Sequence, residues 1–247
     1  EQRKMRKKTL AFLSFFFLIS LCALYFSFGL RGRFTLTNYS SSSSSLTYSV
    51  EKILLSNLGK NKLFVNKNNI RKQIEDLSYI ESASLSLSGT KIDLTIENIE
   101  DALILRGSDS YYFYSDSIYP LEKKDILPLS KNYVILDLDD SVIAFLLEGK
   151  ETREIRKMIN TLASLSSRSS LITKAEYDNN KSSIFSGSLT LYLEPIESIL
   201  VVDDIRDLDR LDDALNILEE QYFESKDRLN GERREYILSA SSIIKLR

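Results

Sequence analysis

The chain has 247 residues, with 33 Lys/Arg against 35 Asp/Glu, one cysteine, three prolines and no histidine. Without histidine, neither a Ser-His-Asp nor a Cys-His nucleophile can be built, and imidazole-ligated zinc is excluded. A single cysteine, Cys22, rules out an intrachain disulfide, so the folded parts rest on core burial alone.

Leu10 to Leu30 is a run of 21 residues without a charge, preceded by Arg3, Lys4, Arg6, Lys7 and Lys8. As a helix it would reach roughly 31 Å, against a hydrocarbon core of about 30 Å. A basic cytoplasmic tail over 1–9 and a retained transmembrane helix over 10–30 are therefore expected. The cations before the span, against Arg31 and Arg33 after it, orient the N-terminus to the cytoplasm and the bulk of the chain outside. A cleaved signal peptide would carry an apolar region of only about 7–15 residues, and Ser27-Phe28-Gly29 is a weak cleavage site. Residues 1–30 hold 5 Lys/Arg and 1 Asp/Glu, leaving 28 and 34 for the rest. That acidic remainder has no electrostatic reason to hold nucleic acid.

After the span, Phe34 and Leu36 alternate with Thr35 and Thr37 as in a short strand. Ser40 to Ser45 follow as a solvated loop, and Asn38-Tyr39-Ser40 is a chance-length sequon. Val50, Ile53, Leu54 and Leu58 recur at helical spacing, with Gly59 placed to end that helix. A second helix carries Ile70, Ile74 and Leu77 on one face, capped by Asn66 or Asn68. The period then changes to two. Ala83, Leu85 and Leu87 alternate with serines, Ser88-Gly89-Thr90 turns, and Ile92, Leu94 and Ile96 alternate again. Residues 34–97 thus read β-α-α-β-β, a sheet of three strands with two helices over one face.

Beyond residue 101, short apolar runs predict strands at Ala102–Leu105, Tyr111–Tyr114, Tyr133–Leu138 and Ile143–Leu147. A helix over Thr152–Leu165 presents Ile155, Ile159 and Leu162 on one side. Strands at Leu171–Tyr177 and Ser188–Leu193 are joined by a polar turn at Asp178–Ser183. Ser198–Val202 leads into a helix over Asp207–Tyr222 whose stripe is Leu208, Leu211, Leu215, Leu218 and Tyr222. Glu235–Ser239 and Ser242–Leu246 close the chain as strands. The Ser242-Ile243-Ile244-Lys245 match to a penicillin-recognising motif lies in strand-like sequence without its companion Lys-Thr-Gly. Asp137-Leu138-Asp139-Asp140 and Asp203-Asp204 lack calcium-loop spacing and are placed as turn formers. No glycine-rich phosphate loop occurs.

The basic tail, single span and β-α-α-β-β unit together resemble the FtsQ/DivIB family of bacterial cell-division proteins. The closest stretch runs from Leu63-Phe64-Val65-Asn66 through Ile70, Ile74 and Leu77 to Ile80-Glu81-Ser82-Ala83 and Leu85. Lys91–Glu97 resembles the hairpin partner strand, and Tyr111–Phe113, Asp116, Ile118-Tyr119 and Pro120-Leu121 resemble a later family segment. Ser88-Gly89 stands where the family's hairpin has proline, and Asn98-Ile99 where it has Arg-Pro.

The resemblance implies an α+β fold with a single N-terminal transmembrane helix, a POTRA-like domain over 31–100 and a larger β-rich domain over 101–247. It implies a single-pass protein of the cell (inner) membrane at the division septum, and a scaffold, not an enzyme, with no cofactor or metal. The implied partners are small FtsL/DivIC-like and FtsB-like division proteins, and through them the septal peptidoglycan synthase complex. By the same resemblance, partner contact falls on an exposed edge at Tyr236, Ile237, Leu238 and Ser239, with Arg206 and Arg210 as polar anchors. The alternative function is a membrane-tethered POTRA-like chaperone or secretion component that binds extended polypeptides.

Overall fold

A computed structural model describes residues 2–29, 34–42, 46–179, 187–224, 233–239 and 242–246. Among them the fold is α+β, with seven α-helices and twelve strands. The chain divides into two compact units, one of residues 1–44, 50–76 and 82–97, the other of 45–49, 77–81 and 98–247.

The first unit begins with α1 (Gln2–Gly29). Its described side chains, Phe12 to Phe26, are all exposed. Among the described residues no helix is long and apolar enough to cross a membrane. This corrects the transmembrane helix expected over 10–30. It also corrects the single-pass placement in the cell (inner) membrane at the septum, with the N-terminus cytoplasmic and the bulk outside. The expectation rests on the hydropathy of an uncharged run and the charges before it. Arg31 and Arg33 lie outside the described residues.

The rest of this unit carries β1 (Asn38–Ser41), most of α2 (Tyr48–Leu55), α3 (Lys67–Glu75), and most of β2 (Ile80–Ser88) and β3 (Lys91–Asn98), so the β-α-α-β-β order holds. The sheet order is β1-β3-β2, with β1 parallel to β3 in the register Asn38 to Lys91. Asn66 caps α3 by accepting from the Asn69 N–H, which frees Asn68 of that role. Gly89, at φ +60, supplies the left-handed turn between β2 and β3. Leu36, Val50, Leu54, Ile70, Ile74, Ala83, Ile92 and Leu94 are buried.

The first strand sits four residues later than the alternation suggests. Leu36 is buried, but its N–H donates to the Lys60 carbonyl and its carbonyl accepts from Gly59, so Thr35 and Leu36 are tied to the loop after α2, while the Thr37 N–H already donates to the Thr90 carbonyl. Strand pairing then starts at Asn38 and takes in Ser40 and Ser41, both expected in a loop. Ser40 finds its partner in Asp93, at 2.7 Å. Ser43 to Ser45 lie outside the described residues.

The second unit is built on nine strands in the order β12-β11-β10-β9-β8-β7-β4-β5-β6. In chain order they are β4 (Leu103–Arg106), β5 (Tyr111–Tyr114), β6 (Ile118–Pro120), β7 (Ile135–Asp137), β8 (Lys174–Asp178), β9 (Ser188–Leu193), β10 (Ser198–Val202), β11 (Arg234–Leu238) and β12 (Ile243–Lys245). Between them lie α4 (Ile126–Leu129), α5 (Asp140–Leu147), α6 (Arg153–Arg168) and α7 (Leu211–Glu224). β4, β7 and β8 run parallel, as do β10 and β11; the other pairs are antiparallel.

Alternation along each strand sends Leu103, Leu105, Leu136, Ala175, Leu189, Leu191, Leu200 and Val202 into one cluster with buried residues of α5, α6 and α7. Thr152 caps α6 by accepting from the Ile155 N–H. The stripe of Leu211, Leu215 and Leu218 is buried as its spacing predicts, while Leu208 belongs to a preceding 3-10 turn over Ile205–Arg210.

Ile143–Leu147 corrects the expected strand: it is the end of α5. A short apolar run fits a strand or a buried helix equally well by period. Here Val142, Ile143 and Leu146 are buried while Ala144 and Leu147 are exposed, the helical i, i+1, i+4 pattern. Gly149, at φ +65, follows the helix end. Of the turn expected over Asp178–Ser183, residues 180–183 lie outside the described residues.

Candidate functional site: the C-terminal sheet edge

Tyr236 and Leu238 point into the core, 5 % and 1 % exposed, while Ile237 between them faces the other side of the sheet and is half-buried. Their strand, β11, is interior. It pairs with β10 on one flank (Leu200 opposite Tyr236, Val202 opposite Leu238) and with β12 on the other. An edge at Tyr236, Ile237, Leu238 and Ser239 is therefore corrected: both hydrogen-bonding flanks of β11 are filled. Ser239 lies just past the strand, its N–H donating to the Ser242 carbonyl at 3.0 Å across the turn into β12.

Among the described residues, β12 is the outermost strand at this end of the sheet. Tyr236 is opposite Lys245, Ile237 opposite Ile244 and Leu238 opposite Ile243. Leu246 N–H donates to the Glu235 carbonyl at 2.7 Å. In an antiparallel pair, bonded and non-bonded positions alternate. Ser242, Ile244 and Leu246 therefore turn their backbone groups toward β11, and Ile243 and Lys245 turn theirs outward. Ile243 packs against the core, whereas Ile244 and Leu246 are 50 % and 53 % exposed on the opposite face.

Arg206 and Arg210 both lie on the 3-10 turn that leads into α7, and both are exposed. Arg206 is occupied locally. Its Nε donates to Asp204 Oδ2 at 2.7 Å, and Asp204 also accepts from the Arg206 N–H at 2.9 Å. The hydrogen bond to Asp204 raises the Arg206 guanidinium pKa, and its counterpart holds the Asp204 carboxyl below its ordinary value against the opposing effect of burial. The Arg206 fork is thus turned onto its own loop.

The face of the sheet away from the cluster carries a second group that sequence reading missed. Cross-strand register aligns Arg106, Asp137, Glu176, Thr190, Val201, Ile237 and Ile244 in one row. A neighbouring row aligns Ile104, Ile135, Lys174, Tyr192, Ile199 and Glu235. One part of this face is a polar network. Arg106 forks onto Asp137, Lys174 Nζ sits 3.1 Å from Asp137 Oδ2 and contacts Glu176, and Tyr192 OH donates to Glu176 at 2.9 Å. The Lys174 ammonium also lies 5.0 Å from the Tyr192 ring centroid.

Hydrogen bonding from Lys174 lowers the Glu176 pKa, against desolvation and with help from Tyr192. Burial opposes the charge on Lys174, yet its bonds to Glu176 and Asp137 leave its pKa raised. The other part, toward the edge, is aliphatic: Ile199, Val201, Ile237, Ile244 and Leu246. The only signal for this division in the sequence is the polar alternation of Lys174 and Glu176 and of Thr190 and Tyr192. It gives no register, because the paired residues lie 31 apart in sequence for Arg106–Asp137 and 16 apart for Glu176–Tyr192.

Asp137 is thus spent on Arg106 and Lys174. Among the described residues no group of three or more Asp, Glu or Cys side chains is placed to hold a metal ion. Neither a family model nor a curated protein matches the sequence.

Proposed function

We propose that the chain is a non-catalytic scaffold of the FtsQ/DivIB type, which binds small FtsL/DivIC-like and FtsB-like division proteins. Through them it bears on the septal peptidoglycan synthase complex. The observation that supports this is the open flank of β12. Ile243 and Lys245 offer outward N–H and C=O groups beside the exposed aliphatic side chains of Ile244 and Leu246. An extended partner segment adds a strand there through backbone bonds, and its alternate side chains meet the aliphatic part of the sheet face. β11, with Tyr236, Ile237 and Leu238, is the support that holds β12 in register.

Co-purification of the full chain with FtsB-like and FtsL/DivIC-like proteins from the same organism tests this. Stable complexes that are lost when the β12 flank is blocked are expected. Failure of either partner to co-purify overturns the proposal. Equal capture of unrelated extended peptides favours a POTRA-like chaperone instead.

A further inference from the structure

Residues 52–74 contain six Lys/Arg and no Asp/Glu, in a chain whose formal charge is −2. The asymmetry is local to one unit. Its residues 34–44, 50–76 and 82–97 carry 7 Lys/Arg and 5 Asp/Glu, against 19 and 29 in the other unit. In the middle of the basic stretch a 3-10 turn over Lys62–Phe64 holds Leu63 69 % and Phe64 85 % exposed. A phenyl ring that exposed protrudes from the surface; it does not line a groove.

The cations beside it keep their charge unneutralised. Lys60 Nζ donates to the Asn57 side-chain carbonyl at 2.8 Å, and Lys62 Nζ donates to the Gly89 carbonyl at 3.2 Å while lying over the Phe34 ring. Lys67 sits one residue past the N-cap of α3. Among the described residues none of the three pairs with a carboxylate.

We propose that this turn is a peripheral lipid-contact site: Leu63 and Phe64 enter the acyl boundary of an anionic bilayer surface while Lys60, Lys62 and Lys67 meet its headgroups. A protruding Leu-Phe pair among long cationic side chains matches an interface whose apolar layer lies under a negatively charged one. Each Lys near such a surface strengthens partitioning by about fivefold, so the three together contribute roughly 100-fold. The contact is peripheral, involves no spanning segment, and is independent of the partner edge on β12.

The chain contains no tryptophan, so Phe64→Trp in the full chain is a unique reporter at an exposed position. Its emission is read on adding vesicles of phosphatidylcholine alone, or of phosphatidylcholine with phosphatidylglycerol, with and without brominated acyl chains. A blue shift and bromine quenching with the anionic vesicles only, suppressed by high salt, are expected. Replacing Lys60, Lys62 and Lys67 by Gln is expected to weaken that response about 100-fold. Leu127→Trp, at a position 77 % exposed in the other unit, is expected to show no quenching and separates the turn from any other route to the vesicle. Absence of quenching in the Phe64→Trp variant, or equal quenching with neutral vesicles, overturns the proposal. A shift that appears without lipid as protein concentration rises would assign the turn to a protein contact and likewise overturn it.

Discussion

The Leu246 amide donates to the Glu235 carbonyl at 2.7 Å, and that one bond decides which backbone groups of β12 face the solvent. With the Ser239-to-Ser242 bond across the turn, it fixes Ile243 and Lys245 as the outward positions. Two proline substitutions one residue apart therefore separate binding from stability. Lys245→Pro removes an outward N–H and is expected to abolish strand addition by a partner, at a stability cost below about 1 kcal/mol. Ile244→Pro removes an inward bond and is expected to cost about 1–3 kcal/mol. Partner pull-down and chemical denaturation of both variants check the pair.

Gly187 is fixed by space, not by backbone freedom. A Cβ added there would lie 2.4 Å from both the Asp178 carbonyl and the Tyr177 ring. Tyr177 is 5 % exposed and anchored in the main cluster, so neither neighbour yields readily. Gly187→Ala is expected to destabilise the second unit by about 1–3 kcal/mol through overpacking, read as a lowered denaturation midpoint with an unchanged slope.

Asp125 is 1 % exposed and accepts from Ser49, at 2.8 Å from its N–H and also from its hydroxyl, with Tyr79 OH 3.5 Å away. Tyr79 OH in turn shares a 2.7 Å bond with Thr47. These contacts tie Thr47, Ser49 and Tyr79 to Asp125 within the second unit. Asp125→Ala leaves the Ser49 donors unpaired and is expected to cost about 1–3 kcal/mol. Faster amide exchange at Ser49 is the local reading of the same loss.

The Lys174–Glu176 pair gives a pH dependence with two limbs. The Glu176 pKa is lowered chiefly by its bond from Lys174, so its contribution is present above the ordinary carboxylate value, about 4.3, and is lost as pH falls through the folded value. For Lys174, burial works against the charge, but the bonds to Glu176 and Asp137 leave the pKa raised. Its contribution is full below about 10.4 and is lost as pH rises through the folded value. Both side chains are about a third or more exposed, so each limb is worth less than about 1 kcal/mol. Glu176→Gln is expected to flatten the acid limb of thermal stability between about pH 5 and 3.

Local periodicity makes much of the fold legible. The alternation of Ala83, Leu85, Ile92 and Leu94 around Gly89 marks the hairpin, and Ser188–Leu193 and Ser198–Val202 are bounded correctly because turn residues flank each run. Three failures share a cause: the sequence carries no pairing information. Ile143–Leu147 fits two periods, and burial of Val142, Ile143 and Leu146 against the sheet selects the helix. Leu36 alternates as a strand would, yet its backbone bonds to Gly59 and Lys60. Tyr236 to Leu238 reads correctly as a strand, but its rank in the sheet depends on whether the last residues of the chain fold back beside it. They do, and the open flank moves to Ile243–Lys245. The span expected over 10–30 rests on hydropathy and length alone. Among the described residues no helix is long and apolar enough to cross a membrane.

Amide hydrogen exchange at single-residue resolution, on the full chain with and without a saturating FtsB-like partner, tests the partner edge most directly. Strong new protection of the Ile243 and Lys245 amides is expected on binding, with little change at Ile244, whose amide already faces β11. A complex that forms while Ile243 and Lys245 continue to exchange at their free rates would contradict strand addition at β12.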